Sequence, residues 1–183
     1  MNKPILLTVY MCMVVISLTA CATAKPMAGP WRARVVDAES TKPIEGAAVV
    51  AVWYEWHPAF PESRTDYLDA SETKTDKDGM FVISPRGPIP RHPMGEVEGP
   101  YFTIYKPGYN FFSGSHVITE DNRELNIGSE PITISLKQLF DANSRRNSAA
   151  MAKGGLSSVP DGKKKYLLEL YRSELNTLGL PVK

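Results

Sequence analysis

The chain has 183 residues, with 21 basic and 20 acidic side chains and a formal net charge of +1. So near a balance argues against nucleic acid as the main partner, because phosphate binding needs a clear basic excess or a basic face. The length suffices for one domain plus terminal extensions. Cys12 and Cys21 both lie near the N-terminus, so the body of the chain must be held by its core rather than by disulfides.

Lys3 and the free amine make a short positive segment, and the apolar run from Ile5 to Leu18 that follows is too short and too N-terminal for a stable span. It ends on Leu18-Thr19-Ala20-Cys21: Leu, two small residues, then Cys. A membrane-embedded peptidase must approach the scissile bond closely, so the positions before it need small side chains; the cysteine thiolate is the nucleophile that takes up diacylglycerol. The stretch resembles the lipobox of bacterial lipoproteins. The resemblance implies a signal peptide over residues 1–20, lipidation (palmitate-labelled) of Cys21, and attachment to the membrane through that lipid. The competing readings are an ordinary secretory signal cut elsewhere and a simple N-terminal anchor. Ala22 is not the aspartate that often retains lipoproteins at the inner membrane, so the expected location is the cell envelope, on the periplasmic side of the outer membrane where a cell has two. Loss of Cys12 with the signal leaves no free thiol. Residues 21–30 hold small residues, Lys25 and two prolines, Pro26 and Pro30, and read as an extended tether.

Trp31 to Asp37 alternates as a strand does. Ala38 to Pro43 is a polar turn, and Ile44 to Tyr54 is a long β-branched strand apolar on both faces, as in a strand buried on both sides or one twisting between two sheets. His57 to Ala70, with Pro58 and Pro61, is an insertion loop. Ser71–Thr75 and Met80–Ser84 flank Asp76-Lys77-Asp78-Gly79, a hairpin signal in which Gly79 supplies positive φ. The turn reading is taken over calcium, since the EF-hand frame would put Lys74 at the first ligand position and no glutamate at the twelfth. Pro85 to Pro100, broken by Pro88, Pro90, Pro93 and three glycines, is a long loop. Tyr101 to Lys106 is a strand ending in the Pro107-Gly108 pair of a type II turn. Phe111, Phe112, Val117 and Ile118 give a short further strand, and Ile132, Ile134 and Leu136 share one face of a last one.

Val35-Val36-Asp37, Thr41-Lys42-Pro43-Ile44-Glu45-Gly46-Ala47, Thr75-Asp76-Lys77-Asp78-Gly79-Met80-Phe81 and Lys106-Pro107-Gly108-Tyr109 follow one another in order. Together they resemble the carboxypeptidase regulatory-like domain over residues 31–139, with expanded loops at 56–70 and 85–99. The resemblance implies an all-β fold: an Ig/transthyretin-like antiparallel β-sandwich, here with a C-terminal amphipathic α-helix. These motifs are turn chemistry, so they specify a fold better than a function.

Residues 140–183 are a connector, loosely helical or flexible, and that helix. Asp141 to Ser158 is polar, small and Gly-containing. Ser158-Val159-Pro160-Asp161 resembles a capping box, and Lys163 to Leu178 carries Leu167, Leu170, Tyr171, Leu175 and Leu178 on one stripe. Gly179 and Pro181 supply the stop. The stripe either docks on the sandwich, over an exposed edge, or hooks a partner.

His57, His92 and His116 lack metal-ligand spacing, and no nucleophile elbow, phosphate loop or free cysteine nucleophile is present. No catalytic residue, metal or cofactor is assigned, and the chain reads as a non-enzyme. The stretch most like a binding site is aromatic: Trp53, Tyr54, Trp56, Phe60 and Tyr67, with alternation sending Trp53 to the face opposite Tyr54 and Trp56. These side chains either cap the open end of the sandwich or form a platform for sugar rings or a peptide. The expectation is a non-catalytic, membrane-anchored envelope lipoprotein acting as a structural or protein-interaction module, with an envelope protein or glycan as partner. The alternative is a carbohydrate- or peptide-binding lipoprotein using the aromatic loops.

Overall fold

The structure is a computed structural model that describes residues 29–87, 92–118, 124–128 and 130–181. The expected lipobox with Cys21 and the expected tether up to residue 28 lie outside the described residues, as do Pro88 and Pro90 of the proline-rich stretch.

Strand β2 (Ala48–His57) lies at the centre of the molecule. Together with β3 (Arg64–Lys74), β5 (Glu96–Tyr105) and β6 (Phe112–Gly114) it forms a four-stranded sheet in the order β3-β2-β5-β6. Strand β1 (Trp31–Asp37) is the middle of a three-stranded sheet, flanked by β4 (Met80–Ile83) antiparallel and β9 (Ile132–Leu136) parallel. Strands β7 (His116–Ile118) and β8 (Glu124–Asn126) make a small ribbon. Helices α1 (Ala142–Gly154) and α2 (Lys165–Thr177) follow, separated by a 3₁₀ turn at Asp161–Lys163.

The two larger sheets bury one core between them: Trp31, Ala33 and Val35 of β1, Phe81 and Ile83 of β4, and Ile134 and Leu136 of β9 meet Val49, Ala51 and Trp53 of β2 and Phe102 and Ile104 of β5. The fold is thus mostly β and sandwich-like. The opposite face of β2 carries Ala48, Val50 and Val52, which pack with Ala70 and Tyr105 against Ala149, Ala152, Leu156, Val159 and Leu167 of the C-terminal segment. The two-sided apolar pattern of β2 therefore has a direct cause: one face meets the partner sheet and the other meets helices.

Several expected boundaries move. The long strand starts at Ala48 rather than Ile44, because Thr75 holds Ile44–Ala47 in a turn: its hydroxyl donates to the Ile44 carbonyl (2.6 Å) and accepts from the Ala47 N–H (2.8 Å). Within that turn Gly46 has φ +65°. The expected insertion loop is mostly β3, and the latter part of the proline-rich loop is the start of β5. Both segments are polar, and both become strand by pairing with the extended end of β2, Tyr54–His57; the available ladder outweighs weak intrinsic propensity. The short strand after Phe111 is two strands, β6 and β7.

Asp76–Gly79 is a turn but not a hairpin. β3 pairs with β2 and β4 pairs with β1, so the turn carries the chain from one sheet to the other. The Asp76 carboxylate accepts from the N–H groups of Asp78 and Met80 (both 2.9 Å), and Gly79 takes φ +74°. The Gly79 carbonyl accepts from Val35 N–H (2.8 Å), fastening the turn to β1.

Of the two expectations for the connector, loosely helical or flexible, the structure has a helix, α1. Asp141 caps it, accepting from Ser144 N–H at 2.8 Å, and its small buried residues Ser148, Ala149 and Ala152 allow close approach to the sheet. The expected capping box does not form: the residue before α2 is Lys164 and makes no side-chain cap. Glu72 of β3 takes that role from outside, its two carboxylate oxygens accepting from Tyr166 N–H (3.0 Å) and Leu167 N–H (2.8 Å); an anion at a helix N-terminus satisfies free donors and complements the helix dipole. Near the other end of α2, buried Glu174 forms a two-pronged pair with Arg145 of α1 (2.8 and 2.7 Å) and accepts from Gly108 N–H (3.2 Å). The α2 stripe docks as one of its two expected alternatives had it, but over a sheet face rather than an edge.

Two expectations follow. Gly79→Val should cost at least about 2 kcal/mol of unfolding free energy in urea titration, because left-handed backbone is strained for a β-branched residue and a Cβ at this position would collide with the Val35 carbonyl oxygen. Glu174→Gln should cost about 3 kcal/mol, since it leaves the guanidinium of Arg145 with a neutral partner in a mostly desolvated site; an unchanged urea midpoint would contradict the clamp.

Candidate functional site

Val52 is the last fully buried residue on the outer face of β2; Tyr54, the next on that face, is half-buried at the margin of the cluster that packs against the C-terminal segment. Beyond Val52 the four-stranded sheet is less covered, and a groove of about 370 Å³ forms there, bounded by Val52 and Tyr54 of β2, Thr65 of β3, Glu98, Tyr101 and Thr103 of β5, Ser113 of β6, and Gly155–Leu156 of the segment after α1.

Two irregularities in the sheet set the groove. Against β3, Trp53 pairs with Asp69 and Tyr54 with Tyr67, which leaves Leu68 as an extra residue. Against β5, Val52 pairs with Tyr101 and Tyr54 with Glu98, so Gly99 and Pro100 stand opposite Trp53 alone. Each is a bulge, in which an extra residue bends the strand and re-aims the side chains beyond it. Gly99 takes φ +110°, and a Cβ there would sit 2.8 Å from the Val52 carbonyl oxygen; only glycine fits this close backbone approach. The bulges let Leu68 and Val97 pack into the inter-sheet core while Thr65 and Glu98 face the groove.

The five aromatic residues singled out in the sequence divide. Trp53 is 1% exposed and stacks edge-to-face on Trp31 at 5.4 Å, with the Arg86 guanidinium 5.1 Å from its ring centre. It belongs to the core and offers no platform. Tyr54, Trp56 and Tyr67 are half-buried. The β2–β3 register makes Tyr54 and Tyr67 direct neighbours and sets Trp56 beside Thr65, so the three share the outer face, opposite Trp53 as alternation predicts. Phe60 stands alone at a loop tip, fully exposed. The aromatic partner that sequence reading missed is Tyr101, which meets Tyr54 edge-to-face with centroids 5.9 Å apart at 61°. The bulges put Glu98 and Tyr101 beside Tyr54, and no sequence spacing announces that.

Burial raises the Tyr67 phenol above its ordinary value, and nearby Arg86 partly opposes the shift. Beside it, Asp69 pairs with Arg86 and with Lys163 of the 3₁₀ turn (3.0 Å), holding the helical segment against β3. On β5 the Tyr105 phenol is raised chiefly by burial, with Glu174 adding to the shift.

Two of the three histidines come together and the third lies apart from them. His57 lies near His92 (ring centroids 5.9 Å) and 3.6 Å from Asp66, while His116 pairs with Glu124 (3.0 Å) across the β7–β8 ribbon. Among the described residues no group of three or more His, Cys, Asp or Glu side chains is arranged to hold a metal ion, and no helix is long and apolar enough to cross a membrane.

No family model and no curated protein matches the chain. Among solved structures, the crystal structure of a 9R-lipoxygenase from Cyanothece PCC8801 is similar over 81% of this chain and 25% of its own length, at 14% identity and a TM-score of 0.29. A likeness that low carries no argument about fold or chemistry.

Because Trp31 and Trp53 are buried and Trp56 is half-exposed, acrylamide should quench one indole readily and two poorly. Trp56→Phe should remove the accessible fraction; persistence of that fraction in the variant would mean that a core indole is open to solvent.

Proposed function

We propose that this protein is a non-catalytic, lipid-tethered envelope lipoprotein whose β-sandwich acts as an interaction module. The observation that carries the reading is the run Ile5–Leu18 ending on Leu18-Thr19-Ala20-Cys21, with a short spacer before β1 begins at Trp31. Cys21 is the lipidation site, residues 1–20 the signal peptide and residues 21–30 the tether. With Ala22 after the cysteine, the protein belongs on the periplasmic side of the outer membrane in a cell that has two.

The fold reading is finer than a sandwich: a carboxypeptidase regulatory-like, transthyretin-like domain over residues 31–139, followed by the helical segment 140–183. Its support is turn chemistry at the family's motifs, with Gly46, Gly79 and Gly108 at φ +65°, +74° and +82°. The non-catalytic reading draws support from the work that the buried polar groups already do. Thr75 clasps Ile44–Ala47, Glu174 binds Arg145 and the Gly108 turn, and Lys164 donates to the Leu156 carbonyl at 2.6 Å. Asp37 accepts from Ser40 and Glu39 in its own turn, which holds its carboxyl below the usual carboxylate range. Each of these groups secures one element to another. A second reading, a carbohydrate-binding lipoprotein, is favoured by the groove at Tyr54 and Tyr101.

Metabolic labelling with palmitate tests the anchor. Wild-type protein should be labelled and should stay with membranes in high salt, since several acyl chains bind stably where one binds marginally. Cys21→Ser should carry no label and keep its signal uncut. Label on the serine variant would overturn the assignment.

A further inference from the structure

We infer that the groove beyond Val52 is a binding site for a neutral oligosaccharide, stacked on Tyr101 or Tyr54 and hydrogen-bonded through Glu98, Thr65, Thr103 and Ser113. The inference deepens the interaction-module reading and does not depend on the lipid anchor.

Three observations lead there. First, the lining combines aromatic faces with a carboxylate and three hydroxyls in one concavity. A polyol matches that mixture: its C–H face stacks on a ring, its hydroxyls donate to the carboxylate, and they exchange hydrogen bonds with Ser and Thr, which both donate and accept. Among the described residues Glu98 has neither an ion pair nor a side-chain hydrogen bond.

Second, the geometry of the tyrosine pair separates sugar from cation. A cage for a quaternary ammonium group needs several ring faces converging on one point. Tyr54 and Tyr101 instead touch edge-to-face at 5.9 Å, so one ring's face is taken by the other's edge. What remains is a step-shaped platform for a flat ring, and Tyr101 is 41% exposed on it.

Third, the strand at the centre of the groove's floor is paired on both sides. β2 is bonded to β3 and β5 on its two sides, and β5 to β6. A peptide adding itself as a strand needs a free edge; beneath Val52 and Tyr54 there is none, so recognition at these residues comes from side chains, and the edge strands β3 and β6 lie at the margins of the groove. The paired bulges that re-aim Thr65, Glu98 and Tyr101 lie in this floor, at the place where bulges serve to direct side chains toward a site.

The test uses the full-length lipidated protein in a detergent without a sugar headgroup. Maltotriose, cellotriose and triacetylchitotriose are titrated separately while protein NMR shifts or intrinsic fluorescence is followed. At least one trisaccharide should bind saturably. Tyr101→Ala should weaken that binding roughly tenfold, the scale of losing one stacked aromatic face, and Glu98→Gln should weaken it while leaving the thermal melt unchanged. Glu98→Gln also guards against misfolding in the tyrosine variant, since it keeps the side chain's shape while removing the charge and turning one acceptor oxygen into a donor. Binding of none of the three sugars, equal binding by both variants, or displacement by tetramethylammonium at similar concentration would overturn the proposal. Failure here together with retained palmitate labelling would leave the anchor standing, whereas loss of labelling would leave the groove standing.

Discussion

The rest of the structure depends on β2 having no solvent face along its first half. Val49, Ala51 and Trp53 point to one side and Ala48, Val50 and Val52 to the other, all 2% exposed or less. Each large apolar side chain withdrawn from water contributes about 1.5–3 kcal/mol, so a chain carrying this strand must supply cover twice. The three-stranded sheet covers one side and the C-terminal segment the other. The layering of sheet, sheet and helices is the answer to one strand's composition. Ala149 and Ala152 on α1 belong to the same solution, because small side chains let the helix approach the alanine and valines of β2.

Apolar contact alone would hold the helices on the sheet without fixing their position. Two carboxylates fix it. Glu72, on a strand of the sheet, reaches two N–H groups at the start of α2, and Glu174, near the other end of α2, reaches Arg145 of α1 and the Gly108 turn. Ser148 of α1 adds a bond to the Tyr109 carbonyl at 2.9 Å. Removing Glu174 from water is costly, and the two-pronged geometry with Arg145 offsets that cost only when both helices are correctly placed. The polar contacts therefore select one arrangement among those that hydrophobic cover would permit.

This division explains what the sequence made legible. The apolar patterns of β1, β2 and β9 and the turn glycines at 79 and 108 act locally, and they could be read locally. Helix α1 could be read only as one of two alternatives: its mean composition is polar, and its buried stripe consists of Ser148, Ala149 and Ala152, residues that look the same in a flexible linker. The cap on Asp141 was the available signal. The start of α2 was misread because its cap is distant by nearly a hundred positions, and a local Ser158–Asp161 pattern imitated one. β3 and the first half of β5 were hidden for a related reason: their polar residues become strand because β2 is long enough to pair them.

The groove follows from the same geometry. Full burial of the outer face ends where the β2 alternation passes from Val52 to Tyr54, so the sheet beyond it must tolerate water on one face while keeping Trp53 dry on the other. Uninterrupted pairing would keep every residue of β3 and β5 in strict alternation, and one slip in register exchanges the two faces of a strand. The extra residues at Leu68 and at Gly99–Pro100 absorb such a slip on both sides of β2 at one level. Leu68 and Val97 are thereby kept inside, and Thr65, Glu98 and Tyr101 are kept outside beside Tyr54. The device that protects the core at its open end is thus also the one that gathers two tyrosines, a carboxylate and hydroxyls into a single concavity. That is why the aromatic cluster read from the sequence splits at Trp53: a run of aromatic residues along a strand is divided by the sheet, and only its outer members, joined by a residue from the neighbouring strand, can meet a ligand.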